Sequence, residues 1–300
     1  MLMLVDAPGL WYRSFFALPS SMRGPDGQQI NAVRGFCDGL ATLVRRFRPT
    51  HVACAVDNDW RPQWRVDLLP SYKAHRVAAE GGEEEPDALP PQVDIIHALL
   101  RAYGLATVGA DGYEADDVLA TLSAAADMPT TVVTGDRDLF QLVNDAAAVT
   151  VTYLGKGIAK AEEFDDAAVA SKHGVKAEDY VAYSVLRGDP SDGLAGVPGV
   201  GEKTAAKLIH THGDVDGVIA AASGHSNSMS PRIRSAVRDS TDYLRAAVRV
   251  VTTVADIALP PVDTTIPAAP TDSEELARLG EEYGLGSSIK RLTAALWPQE

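Results

Sequence analysis

Residues 112–138 read GYEADDVLATLSAAADMPTTVVTGDRD, and they decide the fold. From Glu114 to Ala126 the apolar residues recur at helical spacing, with Ala115, Val118, Leu119 and Leu122 forming one stripe. Thr130 to Thr134 is a β-branched run of strand length, and Asp136 and Asp138 follow it directly. Working outward, Met1 to Val5, His51 to Val56, Leu105 to Val108 and Val149 to Tyr153 also read as buried strands. Helices fill Asn31 to Phe47 and Pro91 to Tyr103. Strand and helix in alternation imply a parallel sheet with right-handed crossovers, so an α/β domain is expected over residues 1–164.

One stretch breaks the alternation. From Asp57 to Pro91 the chain carries Trp60, Arg61, Trp64, Arg65, Tyr72, Lys73, His75 and Arg76, then AAEGGEEEPDALPP. A connection of about thirty residues inside a compact domain is usually functional or mobile, and a lid or arch is expected at about 58–91. After Phe164 the strands stop. DDAAVASKHG, KAEDYVAYSVLRG, EKTAAKLIHTHG, PRIRSAVRDSTDYLRAAVRVV and TDSEELARLGEEYG read as helices, the last with Thr271 and Glu274 at capping-box spacing. A mostly helical region is therefore expected over 165–300, with the Pro-rich span ALPPVDTTIPAAP wrapping the surface.

The 300 residues are 46% hydrophobic and 23% charged, which excludes disorder, collagen and a disulfide-stapled mini-fold. Cys37 and Cys54 fit no metal spacing, and a reducing cytoplasm is the expected compartment. The start MLMLVDAPG has no basic region, and no stretch reaches 18 apolar residues, so neither secretion nor membrane spanning is expected. A balance of 27 Lys+Arg against 41 Asp+Glu, net −14, argues at first against a polyanionic partner.

The placement of the acids alters that inference. Asp6 ends the first strand, Asp57 the second, and Asp136 and Asp138 follow the fourth, so four acids converge on one sheet edge. Glu114, Asp116 and Asp117 join them at a helix N-terminus, where negative charge is also favourable for the helix alone. So many carboxylates in one crevice require cations, and an all-oxygen set selects Mg²⁺ or Mn²⁺ over zinc. Two such ions would serve phosphodiester hydrolysis. A calcium loop beginning at Asp57, Asn58 and Asp59 lacks the required glycine and terminal glutamate.

The segment RGDPSDGLAGVPGVGEKTAAKLI carries the second signal. Glu202 between Gly201 and Lys203 spoils a P-loop register, and a dinucleotide fingerprint would need glycine at Thr204. What remains is a Gly199-Val200-Gly201 turn opening a helix that bears Lys203, Thr204 and Lys207. Free backbone N–H groups there can hold phosphate without reading sequence, as in a helix-hairpin-helix unit at about 180–222; a plain interhelical turn is the alternative. Asp189 and Asp192 are placed to join the metal site from this side. Arg232, Arg234, Arg238, Arg245 and Arg249 offer a basic helical pair for a duplex backbone.

In order along the chain, LVDAPGLWYRSFFA, AVDNDWRPQWRVDLLPSYKAHR, GYEADDVLATL, TGDRDLFQLV and GDPSDGLAGVPGVGEKTA resemble the bacterial 5′-3′ exonuclease or flap endonuclease family, which also forms the N-terminal module of bacterial DNA polymerase I. The resemblance covers about 200 residues. It implies a PIN-like parallel-sheet nuclease core with a helical arch, then a helical region containing a helix-three-turn-helix DNA-binding unit. It makes Asp6, Asp57, Glu114, Asp116, Asp117, Asp136, Asp138, Asp189 and Asp192 the acids that hold two or more Mg²⁺ or Mn²⁺ ions. It makes Lys73 and Arg76 the catalytic phosphate contacts, assisted by Arg13 and Arg65, with Tyr72 available to stack on a base or sugar. It also allows a K⁺ ion at the Gly-Val-Gly turn. Two departures are Ala7-Pro8 after Asp6 and SDGLAGV in place of the commoner SDNIPGV. The acidic run Glu83, Glu84, Glu85 and Asp87 is expected to be a solvated flexible segment.

The expected function is a divalent-metal-dependent, structure-selective 5′ nuclease on DNA with 5′ ends or flaps, in replication or repair. A polymerase or ligase partner would be a separate chain, and the protein itself is expected to be a monomer. Two alternatives stay open: a PIN-type ribonuclease, which needs neither the turn nor the arch, and a non-catalytic DNA-junction binding module. With nine of the 41 acids assigned to one metal-filled crevice, the distribution of charge matters more than its net value.

Overall fold

The computed structural model describes residues 1–79, 81–224 and 229–298. In chain order the elements are β1 (Leu2–Asp6), α1 (Ala7–Ala17), α2 (Asn31–Phe47), β2 (His51–Ala55), α3 (Gln63–Leu68), α4 (Pro90–Tyr103), β3 (Ala106–Val108), α5 (Ala115–Ala125), β4 (Thr130–Thr134), β5 (Val149–Tyr153) and β6 (Glu162–Phe164). The helical part follows as α6 (Asp166–His173), α7 (Tyr180–Arg187), α8 (Glu202–His212), α9 (Val215–Ser223), α10 (Pro231–Asp239), α11 (Thr241–Val251), α12 (Ser273–Glu282) and α13 (Gly286–Leu296).

The strands form one sheet in the order β3-β2-β1-β4-β5-β6, parallel except for β6, which pairs antiparallel with β5. Successive residues of a strand face opposite sides, and both faces of this sheet are covered. On β1, Leu2 and Leu4 join one core with Val118, Val132, Phe140 and Val151, while Met3 and Val5 join a second with Phe36, Leu40, Ile96 and Leu99. The first core runs on without a break into the helical part through Tyr180, Leu186, Val218 and Leu244. The last two helices turn back: Leu276, Leu279, Leu292 and Leu296 belong to the second core, beside α2 and α4.

The five parallel strands lie where their apolar runs predict them. Helices α9 and α13 lie in segments not read as helical, and three further elements depart from expectation. Helix α1 begins on the residue after β1, because Asp6 accepts from Gly9 N at 2.7 Å and so caps it, with Pro8 in the first turn. Strand β6 is only three residues long, with Phe164 its one apolar side chain. At the start of α12 the cap is Asp272, which accepts from Glu275 N at 2.8 Å, and not the Thr271–Glu274 box. Thr271 Oγ1 instead donates to Arg101 O and Ala102 O at 2.9 and 3.0 Å, at the end of α4.

The arch is not a continuous helix. Helix α3 covers six residues, and a single 3₁₀ turn spans Ala74–Arg76. Beyond it, Val77 pairs with Glu83 in a short antiparallel bridge. The span 258–270 lies along the base of β2, with Val52 N donating to Thr264 O at 2.7 Å. Among the described residues no helix is long and apolar enough to cross a membrane.

Candidate active site

Because β1 lies between β2 and β4, the residues that follow these strands meet at one sheet edge. Asp6 Oδ2 accepts from Thr134 Oγ1 at 2.8 Å, Thr134 Oγ1 accepts from Asp136 N at 2.9 Å, and Asp136 Oδ1 accepts from Asp138 N at 2.8 Å. This relay fixes the end of β1 to the TGDRD turn. Asp57 accepts from Ala115 N at 2.7 Å, which ties the end of β2 to the start of α5. Asp6, Asp57, Glu114, Asp116, Asp136 and Asp189 line one crevice of about 850 Å³. Asp138 and Asp192 are buried and feel the charge of Asp136. Asp138 accepts from Ser184 Oγ on α7 at 3.1 Å, so the helical part helps place it.

These carboxylates destabilise one another. Burial pushes Asp57 up to about 7, and burial together with the Asp136 charge pushes Asp192 up to about 6. Asp6, Asp116 and Asp138 are raised by burial first, and the Asp136 charge adds to it. Each would be relieved by a cation. Among the described residues no three acids close into a preformed metal cage. The donors facing the crevice are carboxylate oxygens, and this set fits a hard divalent ion.

Opposite charge faces the same crevice from Arg13, Lys73, Arg76 and Arg137. Lys73 Nζ donates to Glu114 Oε2 at 2.6 Å, and Arg76 Nη2 donates to Ser191 O at 2.7 Å and to Asp192 Oδ1 at 3.1 Å. Arg13 packs beside Gly135, with its Nε buried and unpartnered among the described residues. A further anionic group would find donors here.

Three expected site residues lie elsewhere. Asp117 is fully buried and turned from the crevice, its oxygens taken by Arg65 Nη1 and Nη2 at 2.8 and 2.7 Å, Val254 N at 2.8 Å and Glu114 N at 3.2 Å. For Asp117 the helix-capping alternative holds. Arg65, expected to assist phosphate binding, is 2% exposed, and its Nε donates to Val250 O at 2.9 Å, so it joins the arch to α5 and α11. Tyr72, expected to stack on a base or sugar, is also buried. Its hydroxyl donates to Glu114 at 3.0 Å.

The acidic run is tethered through Glu83 and Glu85, while Glu84, Glu85 and Asp87 remain exposed. Tyr12 Oη donates to Glu83 Oε2 at 3.1 Å and to Glu85 Oε2 at 3.3 Å, drawing the run against α1 at the mouth of the crevice. Sequence inspection missed Tyr12, Thr134, Ser184, Arg137 and Arg187. The last two pair with Asp189 Oδ2 at 3.5 and 3.2 Å. Thr134 and Arg137 had a readable signal, since they flank acids already singled out in TGDRD. Ser184 and Arg187 had none, because their role depends on how α7 docks.

The chain from Asp189 and Asp192 leads directly into the glycine turn. Val197 and Val200 are buried, while Gly199, Gly201, Lys203 and Lys207 are exposed and Thr204 is half-buried. Gly199 has φ +83°, the left-handed region that glycine tolerates without cost. Lys203 and Lys207 are one helical turn apart on α8, and Arg232, at the start of α10, lies beside Gly199. Arg232, Arg238, Arg245 and Arg249 are exposed and Arg234 is half-buried.

A family model described as 5′-3′ exonuclease, N-terminal resolvase-like domain, matches residues 1–174, and its companion, the C-terminal SAM fold, matches residues 175–274. The 5′-3′ exonuclease of Streptomyces coelicolor is 48% identical over 299 residues, covering 98% of this chain and 99% of that protein. The DNA polymerase I of Mycobacterium bovis is 38% identical over 291 residues, covering 94% of this chain but 30% of the polymerase. Among solved structures, T5 5′-exonuclease with bound zinc has a TM-score of 0.63 at 18% identity, covering 98% of this chain and 97% of that one.

Proposed function

This chain belongs to the 5′-3′ exonuclease family, and from that premise we propose that it is a structure-selective 5′ nuclease that hydrolyses DNA phosphodiesters near single-strand/duplex junctions. The observation that carries this is one crevice lined both by Asp6, Asp57, Glu114, Asp116, Asp136 and Asp189 and by Arg13, Lys73 and Arg76. Phosphodiester hydrolysis needs both: acids to hold metal, and cations to hold the phosphate and offset transition-state charge.

Asp6, Asp57, Glu114, Asp116, Asp136, Asp138, Asp189 and Asp192 would hold two or more ions of the Mg²⁺ or Mn²⁺ class, which when bound supply an activated water and neutralise charge on the phosphate. Lys73 and Arg76, which pair with Glu114 and Asp192, would take the non-bridging oxygens of the phosphate. The exposed Gly199 and Gly201, with Lys203, Thr204 and Lys207, would grip the duplex backbone without reading sequence, while the Val200 amide is already bonded to Val197 O. A K⁺ ion at the turn's carbonyls belongs to the same proposal. So do a cytoplasmic location, a monomeric state and cooperation with a separate polymerase or ligase.

The test is cleavage of a 5′-labelled flap duplex beside a single-stranded RNA, each with Mg²⁺, Mn²⁺ or chelator. Metal-dependent cutting near the flap junction is expected. Preferential cutting of the RNA would favour a PIN-type ribonuclease, and tight flap binding without cleavage would favour a junction-binding module.

A further inference from the structure

The chain beyond Arg76 folds back on itself. Val77 bridges to Glu83, Glu84 N donates to Arg76 O at 2.7 Å, and Ala78 N donates to Gly82 O at 3.1 Å. Gly81 and Gly82 permit the reversal, both in the left-handed region with φ +88° and +82°. The fold-back returns Glu83 and Glu84 to the crevice, where they join Lys73 and Arg76 in its lining.

A second contact pins the run to α1. Tyr12 Oη donates to Glu83 Oε2 and Glu85 Oε2 at 3.1 and 3.3 Å. Burial and the charges of these two carboxylates push the Tyr12 hydroxyl up, so it stays a donor. The helix that carries Tyr12 is capped by Asp6, so the pin is anchored to an acid of the site. Glu83 is half-buried, and the charges of Arg76 and Lys73 act on it. A carboxylate offers a guanidinium or ammonium two anionic oxygens, as a phosphate does. Glu83 thus brings phosphate-like oxygens toward the two cations that the scissile phosphate needs.

We propose that the run Glu83–Glu85 is an autoinhibitory strap: pinned by Tyr12, it presents Glu83 to Lys73 and Arg76 in place of phosphate, and the 5′ strand must displace it to enter. The proposal rests on the nuclease function above. It concerns entry and not the chemical step, because the strap leaves Tyr12 and the Arg76 turn before the phosphate arrives. A closed strap lowers apparent affinity by the fraction of molecules in which it is open, so one open in about a fifth of molecules weakens binding about fivefold.

The experiment measures binding and single-turnover cleavage of a 5′-flap duplex by wild type, E83Q and D87N. E83Q removes the charge that faces the cations, whereas D87N removes an equal charge from the same run outside the crevice. E83Q is expected to lower the flap Kd by about fivefold, with saturated turnover changed less than about twofold, and D87N to change the Kd less than about twofold. Hydrogen exchange at the Glu84 amide, bonded to Arg76 O, reads the strap directly. It is expected to speed up in wild type when the flap or inorganic pyrophosphate is added, and in Y12F with neither ligand. Flap binding by E83Q no tighter than wild type, a D87N gain equal to that of E83Q, or Glu84 exchange unmoved by the ligands or by Y12F would overturn the proposal. If wild type cuts no DNA, the nuclease function fails instead, and the pyrophosphate and Y12F measurements still read the strap.

Discussion

Lys73 Nζ lies 2.6 Å from Glu114 Oε2, and this pair joins the arch to the N-terminus of α5 at the wall of the acid crevice. Glu114 also accepts from the Tyr72 hydroxyl and lies 3.3 Å from Arg65 Nη1, so one buried carboxylate gathers three donors from the arch. The ammonium is thereby held where a phosphate oxygen could replace the carboxylate.

Replacing Lys73 removes that cation and leaves the acids in place. Lys73→Ala is expected to lower single-turnover kcat on a flap duplex by about 100-fold or more, with a smaller change in KM, as for loss of one preorganised transition-state contact. An equal loss confined to KM would make Lys73 a binding residue only.

Arg65 and Asp117 form a bidentate pair that is almost wholly buried, and Arg65→Met leaves Asp117 without its main partner. Breaking a buried pair on one side typically costs about 3–5 kcal/mol, so the urea midpoint is expected to fall accordingly. The bound Val250 and Val254 backbone groups make this a junction of arch, α5 and α11. A midpoint within error of wild type would contradict the structural role given to Arg65.

The raised carboxyls give metal-free protein a defined pH dependence. Asp57 moves from an ordinary 3.8 to about 7 and Asp192 to about 6, so the folded state binds protons more tightly than the unfolded one. The resulting stability is fully present below about 4 and is lost as pH rises through 6 and 7. With chelator, the melting temperature is expected to decline from pH 5 to pH 8. With saturating Mn²⁺ the decline should shrink or reverse, because the ion binds the ionised form. A chelated protein whose melting temperature rises over this range would contradict the assigned burial.

The five parallel strands were legible because each is a short run of apolar and β-branched residues, and Asp6, Asp57, Asp136 and Asp138 because they end or closely follow such runs. Helix α1 was not, since Leu10 and Trp11 continue the apolar character of β1 and only the capping bond from Asp6 marks the boundary. The Arg65–Asp117 pair joins residues 52 apart in the chain, so nothing local marks it. The helix N-terminus placed Glu114, Asp116 and Asp117 together, but it could not tell that Arg65 would claim Asp117. Tyr72 was misplaced for the same reason: an aromatic residue in a basic, loop-like segment gives no sign that its hydroxyl is sequestered by a buried glutamate.

Asp136 is the acid whose charge reaches Asp6, Asp116, Asp138 and Asp192, which makes it the centre of the proposed metal site. The most direct measurement is therefore single-turnover cleavage of a 5′-flap duplex by wild type and Asp136→Asn across a Mn²⁺ titration, with flap affinity measured alongside. Wild type should cut near the junction only when metal is present, and Asp136→Asn should bind the flap with little change while cleaving not at all. Cleavage by Asp136→Asn at the wild-type rate, or wild-type cleavage that persists in chelator, would contradict the account.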